Sequence, residues 1–216
     1  MAKECLTVIV KYIKCDVKAD LTATFSKGQE CWQRTTESDG FIIQVGGWDK
    51  TQAVIIALWD DMASVQRFMQ QSHDTIANKA SQQDCYQQIY VDYLQPIAVA
   101  ATNGLEQILT NAGSLRIDEY NLLPENQTDF IESQLRFWQS IAPTMNGCLG
   151  WQLLRSNKTP EQLLMLSGWT TAQHKQHSIE HDFPAIEQTA IHSHNVKLAP
   201  NWFVASSSLL PDIESS

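Results

Sequence analysis

The period of apolar and polar positions changes from segment to segment along this chain, and each change marks an element. Residues 6–15 (LTVIVKYIKC) are rich in β-branched side chains and predict a first strand. Residues 16–20 form a turn. Leu21, Phe25 and Trp32 then fall at helical spacing and predict a helix to about residue 37, with Gly28 as its weak point. Ser38-Asp39-Gly40 is a stop signal, after which residues 40–59 (GFIIQVGGWDKTQAVIIALW) read as two strands joined by a polar turn at 49–52. The second of these strands, VIIALW, has no polar side. Hairpin strands usually keep one face wet, so this one must be covered twice, by helices on one face and by something else on the other. Gly46-Gly47 predicts a bulge or a close backbone approach. Asp60-Asp61 opens a second helix with Val65, Phe68 and Met69 as its apolar stripe, and residues 88–94 (QIYVDYL) predict a fourth strand. The order β-α-β-β-α-β is that of a ferredoxin-like unit.

The same order then returns. Pro96 ends the first unit, residues 97–112 predict a connecting helix, and Gly113-Ser114 punctuates the chain. A strand follows at 115–123, a helix at 124–142 with Pro124 at its favoured N-terminal place, and a hairpin at 148–155 and 162–169. A helical segment at 172–179 and a last strand at 196–205 complete the pattern. Trp32-Gln33 matches Trp138-Gln139, Gly40 matches Gly147, Trp59 matches Trp169, and His73-Asp74 matches His181-Asp182, at offsets of 106, 107, 110 and 108 residues. So steady an offset indicates a duplication. The expected domains are 1–95 and 114–206, with a linker at 96–113 and a polar, frayed tail at 207–216. The expected fold class is α+β. Two tandem ferredoxin-like (βαββαβ) domains stack their antiparallel sheets about 10 Å apart as an intramolecular pseudo-dimeric α+β barrel, each repeat drying the face its own helices leave open.

Composition narrows the partners. The chain has 216 residues and a net charge of −9, with 9 basic and 13 acidic residues in 1–108 and 6 and 11 in 109–216. Neither half offers a basic stripe, which argues against nucleic acid and against an anionic membrane. No stretch approaches the ~20 apolar residues of a membrane span, and the N-terminus lacks a signal-like apolar run. Five cysteines without a C-x-x-C pair point to reduced thiols and a cytoplasmic location.

GFIIQVGGWD, VIIALWDD and FMQQSHDTI in the first half resemble the YdbC-like bacterial proteins, within the dimeric α/β-barrel superfamily of antibiotic-biosynthesis-monooxygenase-like domains. The resemblance covers residues 6–94 well and 114–205 more loosely. It implies a small-molecule ligand and no cofactor. In the leading reading the protein is a cofactor-free monooxygenase acting on an aromatic, quinol-type substrate; in the competing one it is a non-catalytic ligand-binding or assembly module. A monomeric pseudo-dimer is expected, with further homo-oligomerisation left open. The implied pocket lies between sheet and helices, with Trp32, Trp59, Trp138 and Trp169 as substrate-binding walls. His73 and Asp74, or His181 and Asp182, are the candidate catalytic pairs. The alternative is structural: His73-Asp74 pins a helix end and Trp59 is core.

Two metal readings are weaker. A haem-degrading relative would need an Asn near the first strand with a Trp and a His, and only Asn121 in the second half offers one. His174, His177 and His181 share one helical face, near His192-Ser193-His194, but no cysteine or carboxylate completes a set at standard spacing, so no metal is expected. No G-x-S-x-G, P-loop or dinucleotide fingerprint appears.

Overall fold

The computed structural model describes residues 8–99, 104–181 and 190–209. In the first half β1 (Ile9–Val17) leads through α1 (Thr22–Gln29) to the hairpin β2 (Phe41–Asp49) and β3 (Gln52–Trp59), then α2 (Met62–Gln71), α3 (His73–Ala80) and β4 (Tyr86–Val99). α4 (Leu105–Asn111) connects to the second half: β5 (Ser114–Asn121), α5 (Pro124–Ile141), β6 (Cys148–Ser156), β7 (Gln162–Trp169), α6 (Ala172–His181), β8 (His192–Leu198) and the short β9 (Val204–Ala205). Each half is an antiparallel sheet, ordered β4-β1-β3-β2 and β8-β5-β7-β6. The edges meet: β4 pairs with β6, and β2 pairs with β8 and β9, so the two sheets close into one barrel. Closure also removes the exposed edges that four-stranded sheets would otherwise present.

The dry strand VIIALW is explained by its alternation. Val54, Ile56 and Leu58 point into the barrel with Val10, Ile43, Leu115, Leu164 and Leu166. Ala53, Ile55, Ala57 and Trp59 point outward, under the helices. Each such aliphatic side chain contributes about 1.5–3 kcal/mol on burial, so a polar residue on either face of this strand would be costly. The Gly40 and Gly147 pair also holds at backbone level. Both adopt left-handed φ, +77° and +75°, where a side chain would run into Asp60 and Ser64 in one half and into His174 and Thr170 in the other.

Several expectations are corrected. The first helix stays α-helical only to Gln29 and tightens into a 3-10 segment over Glu30–Glu37; the run Gln33-Arg34-Thr35-Thr36 is polar and β-branched, with weak helix preference. The helix expected over 97–112 is confined to α4, because β4 runs on through Pro96. Leu94 is the last residue of β4 to pair with β1; from there the strand pairs with β6, with a bulge after Pro96. A proline is tolerated there because a bulge asks less of its missing N–H. The last strand is interrupted: β8 ends at Leu198, a 3-10 turn at Pro200–Trp202 follows, and β9 resumes beside β2. Gly46-Gly47 proves to be a close approach, since a side chain on Gly47 would strike the Lys197 backbone of β8; the bulge of β2 lies between Phe41 and Ile43 instead.

The barrel interior has two unlike ends. Leu105, Ile108 and Leu109 of α4 join the inward-facing aliphatic cluster, and Gly168 on β7 leaves room for Ile108. Elsewhere in the lumen Glu119, 3% exposed, accepts hydrogen bonds from the Tyr12 hydroxyl at 2.9 Å and Lys14 Nζ at 2.6 Å. His194 lies between the halves, Nδ1 3.2 Å from Asp49 and Nε2 3.2 Å from Glu119, the latter within ion-pair distance but off the line of a hydrogen bond. Burial alone would raise the Glu119 carboxyl. The His194 ring, Lys14 and the Tyr12 hydroxyl outweigh burial and hold it down to about 2.

Candidate functional site

The helices over the first sheet do not fill the space above it. A cavity of about 150 Å³ remains between the outward faces of the first-half strands and the layer of α1, the 3-10 segment, α2 and α3. The local conformation of those segments supplies its walls. In a 3-10 helix residues i and i+3 eclipse, so Trp32 and Thr35 both face the cavity. α2 starts at an Asp61 cap, whose carboxylate accepts from Ser64 N at 2.7 Å, and delivers Phe68. The helix breaks at Ser72, and α3 begins with His73 at the rim.

Trp32, Trp59 and His73 all line this cavity. The His73 ring lies 5.5 Å from Trp32 and 5.8 Å from Phe68, and the Phe68 ring lies 5.0 Å from Trp59. Trp32 is fixed by its indole N–H, which donates to Gln82 Oε1 at 2.9 Å. Asp74 does not enter the cavity; it is exposed and engages His73 Nδ1 at 2.9 Å. An imidazole so held presents Nε2 as the nitrogen left for a ligand.

The strand floor adds residues that sequence reading missed. Lys11 on β1 and Gln44 on β2 both pair with Ala57 on β3, so the three stand in a row across the sheet. Lys11 is 6% exposed, no carboxylate among the described residues lines the cavity, and burial pushes its ammonium down to about 8. Its contacts are Met69 Sδ at 3.5 Å and the face of Phe68 at 5.8 Å. Gln29 Oε1, Thr35 Oγ1, Gln44 Nε2 and Trp59 Nε1, all from cavity-lining residues, are buried without a hydrogen-bond partner among the described residues. Each orphan of this kind costs about 1–3 kcal/mol. The signal for Lys11 was its strand phase, which puts it on the same face as Ile9, Ile13 and Cys15. Cys15 also lines the cavity, but burial, aided by Asp16, pushes its thiol up to about 12, which leaves it inert as a nucleophile at neutral pH.

The second half places its counterparts differently. Trp138 on α5 stacks on Trp151 of β6, centroids 5.6 Å apart and planes 30° apart. The Trp169 indole N–H donates to Ser167 Oγ at 3.2 Å. His181 is exposed at the end of α6, stacked on His177 at 4.3 Å with Nδ1 2.8 Å from the His177 carbonyl. Asp182 lies outside the described residues. The His174, His177 and His181 face is not gathered onto one point: His174 Nδ1 contacts Thr170 Oγ1 at 2.7 Å. Among the described residues no group of three or more His, Cys, Asp or Glu is placed to hold a metal. Asn121 is exposed at the end of β5. No helix among the described residues is long and apolar enough to cross a membrane.

Comparison with known proteins gives each half its own match. Residues 9–94 match the family described as a domain of unknown function, DUF4937, and residues 116–185 match the antibiotic biosynthesis monooxygenase family. The uncharacterized protein YdbC of Bacillus subtilis is 34% identical over 80 residues, which is 35% of this chain and 67% of that protein. An anthrone oxidase-like protein of known structure shares the fold with a TM-score of 0.71 at 8% identity, the match covering 96% of each chain. A proposed monooxygenase from Fusobacterium nucleatum gives 0.69 at 12% identity over 94% of this chain and 96% of that one.

Proposed function

The chain belongs to the YdbC-like family of antibiotic-biosynthesis-monooxygenase-like proteins, and we propose that its first half binds a small planar aromatic molecule and oxidises it with dioxygen without a bound cofactor. The observation that carries this reading is the cavity walled by Trp32, Trp59 and Phe68, with His73 at its rim and Asp74 behind His73. Its volume of about 150 Å³ is that of an engineered apolar cavity that binds benzene, so a single-ring phenol or quinol is the fitting class. His73 Nε2 takes a proton from the substrate. The resulting electron-rich carbanion or phenolate reacts with dioxygen to a hydroperoxide. Loss of water leaves one oxygen atom on the ring as a carbonyl; the other leaves as water with two substrate hydrogens. The aromatic walls keep bulk water from the anion.

Oxygen uptake with substituted hydroquinones, followed for the wild-type protein and for His73→Ala, tests the reading. Uptake above the uncatalysed rate, lost at least tenfold in the variant, is expected. Uptake unchanged by His73→Ala would remove the residue assignment. A thermal shift by the same compounds without oxygen uptake would favour the second reading, a ligand-binding module, which the orphaned polar atoms of the cavity also support. The reading places the protein in the cytoplasm, where the free thiols Cys15, Cys31, Cys85 and Cys148 would stay reduced.

A further inference from the structure

The floor of the cavity has a polarity that the aromatic walls do not explain. Ala57 is too short to reach Lys11 on one side or Gln44 on the other, so a hollow lies between an ammonium and an amide, with Trp59 two residues further along the same face of β3. Three groups around this hollow are hydrogen-bond donors lacking an oxygen or nitrogen acceptor among the described residues: Lys11 Nζ meets a thioether and a ring face, and Gln44 Nε2 and Trp59 Nε1 meet no acceptor there. Thr35 Oγ1 is a fourth group able to donate. Among the described residues, the remaining titratable groups that line the cavity are Cys15, Tyr86 and His73, none of them a carboxylate. Tyr93 packs against the adjoining cluster. A buried cation left without a counter-charge is a poor element of a core and a good half of a binding site.

We infer that this floor is an oxyanion site: it selects single-ring aromatics that carry an ionised oxygen substituent, and Lys11, Gln44 and Trp59 hold that oxygen. The inference rests on the reading of the first-half cavity as the ligand site and names what that site discriminates. The bound anion supplies the counter-charge that Lys11 lacks, so binding holds the ammonium in its charged form. Selectivity therefore persists at neutral pH, where the free site is charged, and fades in alkali as Lys11 loses its proton.

Benzoate and benzamide are close in shape and differ in charge, and their binding by titration calorimetry tests the inference. The wild-type protein is expected to bind benzoate at least tenfold more tightly than benzamide at pH 7, and to lose that preference as the pH is raised past about 8. Lys11→Met is expected to abolish the preference and Lys11→Arg to retain it. Gln44→Trp, which blocks the cavity, is expected to abolish binding of both, so the assignment does not depend on the folding of one variant. Equal affinities in the wild-type protein, or a preference that survives Lys11→Met, would overturn the oxyanion site while benzamide binding leaves the cavity standing. Binding of neither probe would take down the cavity reading together with this one.

Discussion

The two halves share a backbone plan and differ in what stands on the outer face of the sheet. Trp59 and Trp169 set the register. Counting from them along paired strands, Lys11 corresponds to Arg116, Ile13 to Asp118, Cys15 to Tyr120 and Gln44 to Trp151. In the first half the basic side chain has no carboxylate beside it, and a glutamine and a cysteine leave space. In the second, Arg116 is bound to Asp118 at 2.8 and 3.0 Å, Tyr120 packs on Phe130 at 4.7 Å, and Trp151 stacks on Trp138. The same pair of buried strands thus pairs its cation with a carboxylate in one repeat and leaves it beside a hollow in the other. Duplication copied the scaffold, and a few outward positions set the first-half cavity apart from the corresponding surface of the second half.

The strongest way to break this comparison is to remove the two equivalent cations. Arg116→Met leaves Asp118, 2% exposed, with the Ser193 hydroxyl but without its cationic partner and should cost about 3–5 kcal/mol in a denaturant titration. Glu119 tests the tie across the lumen. Its carboxyl is held at about 2 against an ordinary 4.5, so it stabilises the fold fully above pH 4.5 and loses that contribution as the pH falls toward 2. Glu119→Gln should therefore cost about 3 kcal/mol at pH 7 and progressively less below pH 4.5. Lys11→Met should act in the opposite direction from Arg116→Met. The folded state holds the Lys11 ammonium at about 8 against 10.5, so charging it opposes folding below pH 8 and ceases to matter above about 10.5. The variant should gain about 1–3 kcal/mol at pH 7 and nothing in strong alkali. A destabilised Lys11→Met would mean that the first half is packed like the second.

Gln44→Trp sharpens the comparison by giving the first half the side chain of the second. Binding of benzoate and of benzamide should be lost, a fall of at least tenfold or about 1.4 kcal/mol, with the fold retained by circular dichroism. His181→Ala should be smallest, within about 0.5 kcal/mol in stability and without effect on oxygen uptake, because the ring is exposed at a helix end.

The strands, the duplicated hairpin and the pairing of Gly40 with Gly147 were legible because they rest on local rules. Alternation puts side chains on two faces, a left-handed turn asks for glycine, and a strand dry on both faces demands two covers. The triad of Trp32, Trp59 and His73 was legible as far as its position after known elements. Its twin at Trp138, Trp169 and His181 looked the same in sequence and was not, because the decisive partner, Trp151, sits on a different strand more than a dozen residues away.

Residue periodicity alone specifies a pair of ferredoxin-like units whose dry strands require each other. Long-range packing settles that β4 crosses to β6 and that β8 and β9 cross to β2, that the linker helix enters the barrel cluster, and that Lys11 stands uncompensated beside a hollow while Arg116 does not. Periodicity records which face a side chain takes. Whether that face meets a carboxylate, a second tryptophan or empty space depends on residues brought together from distant positions, and no local pattern carries that information.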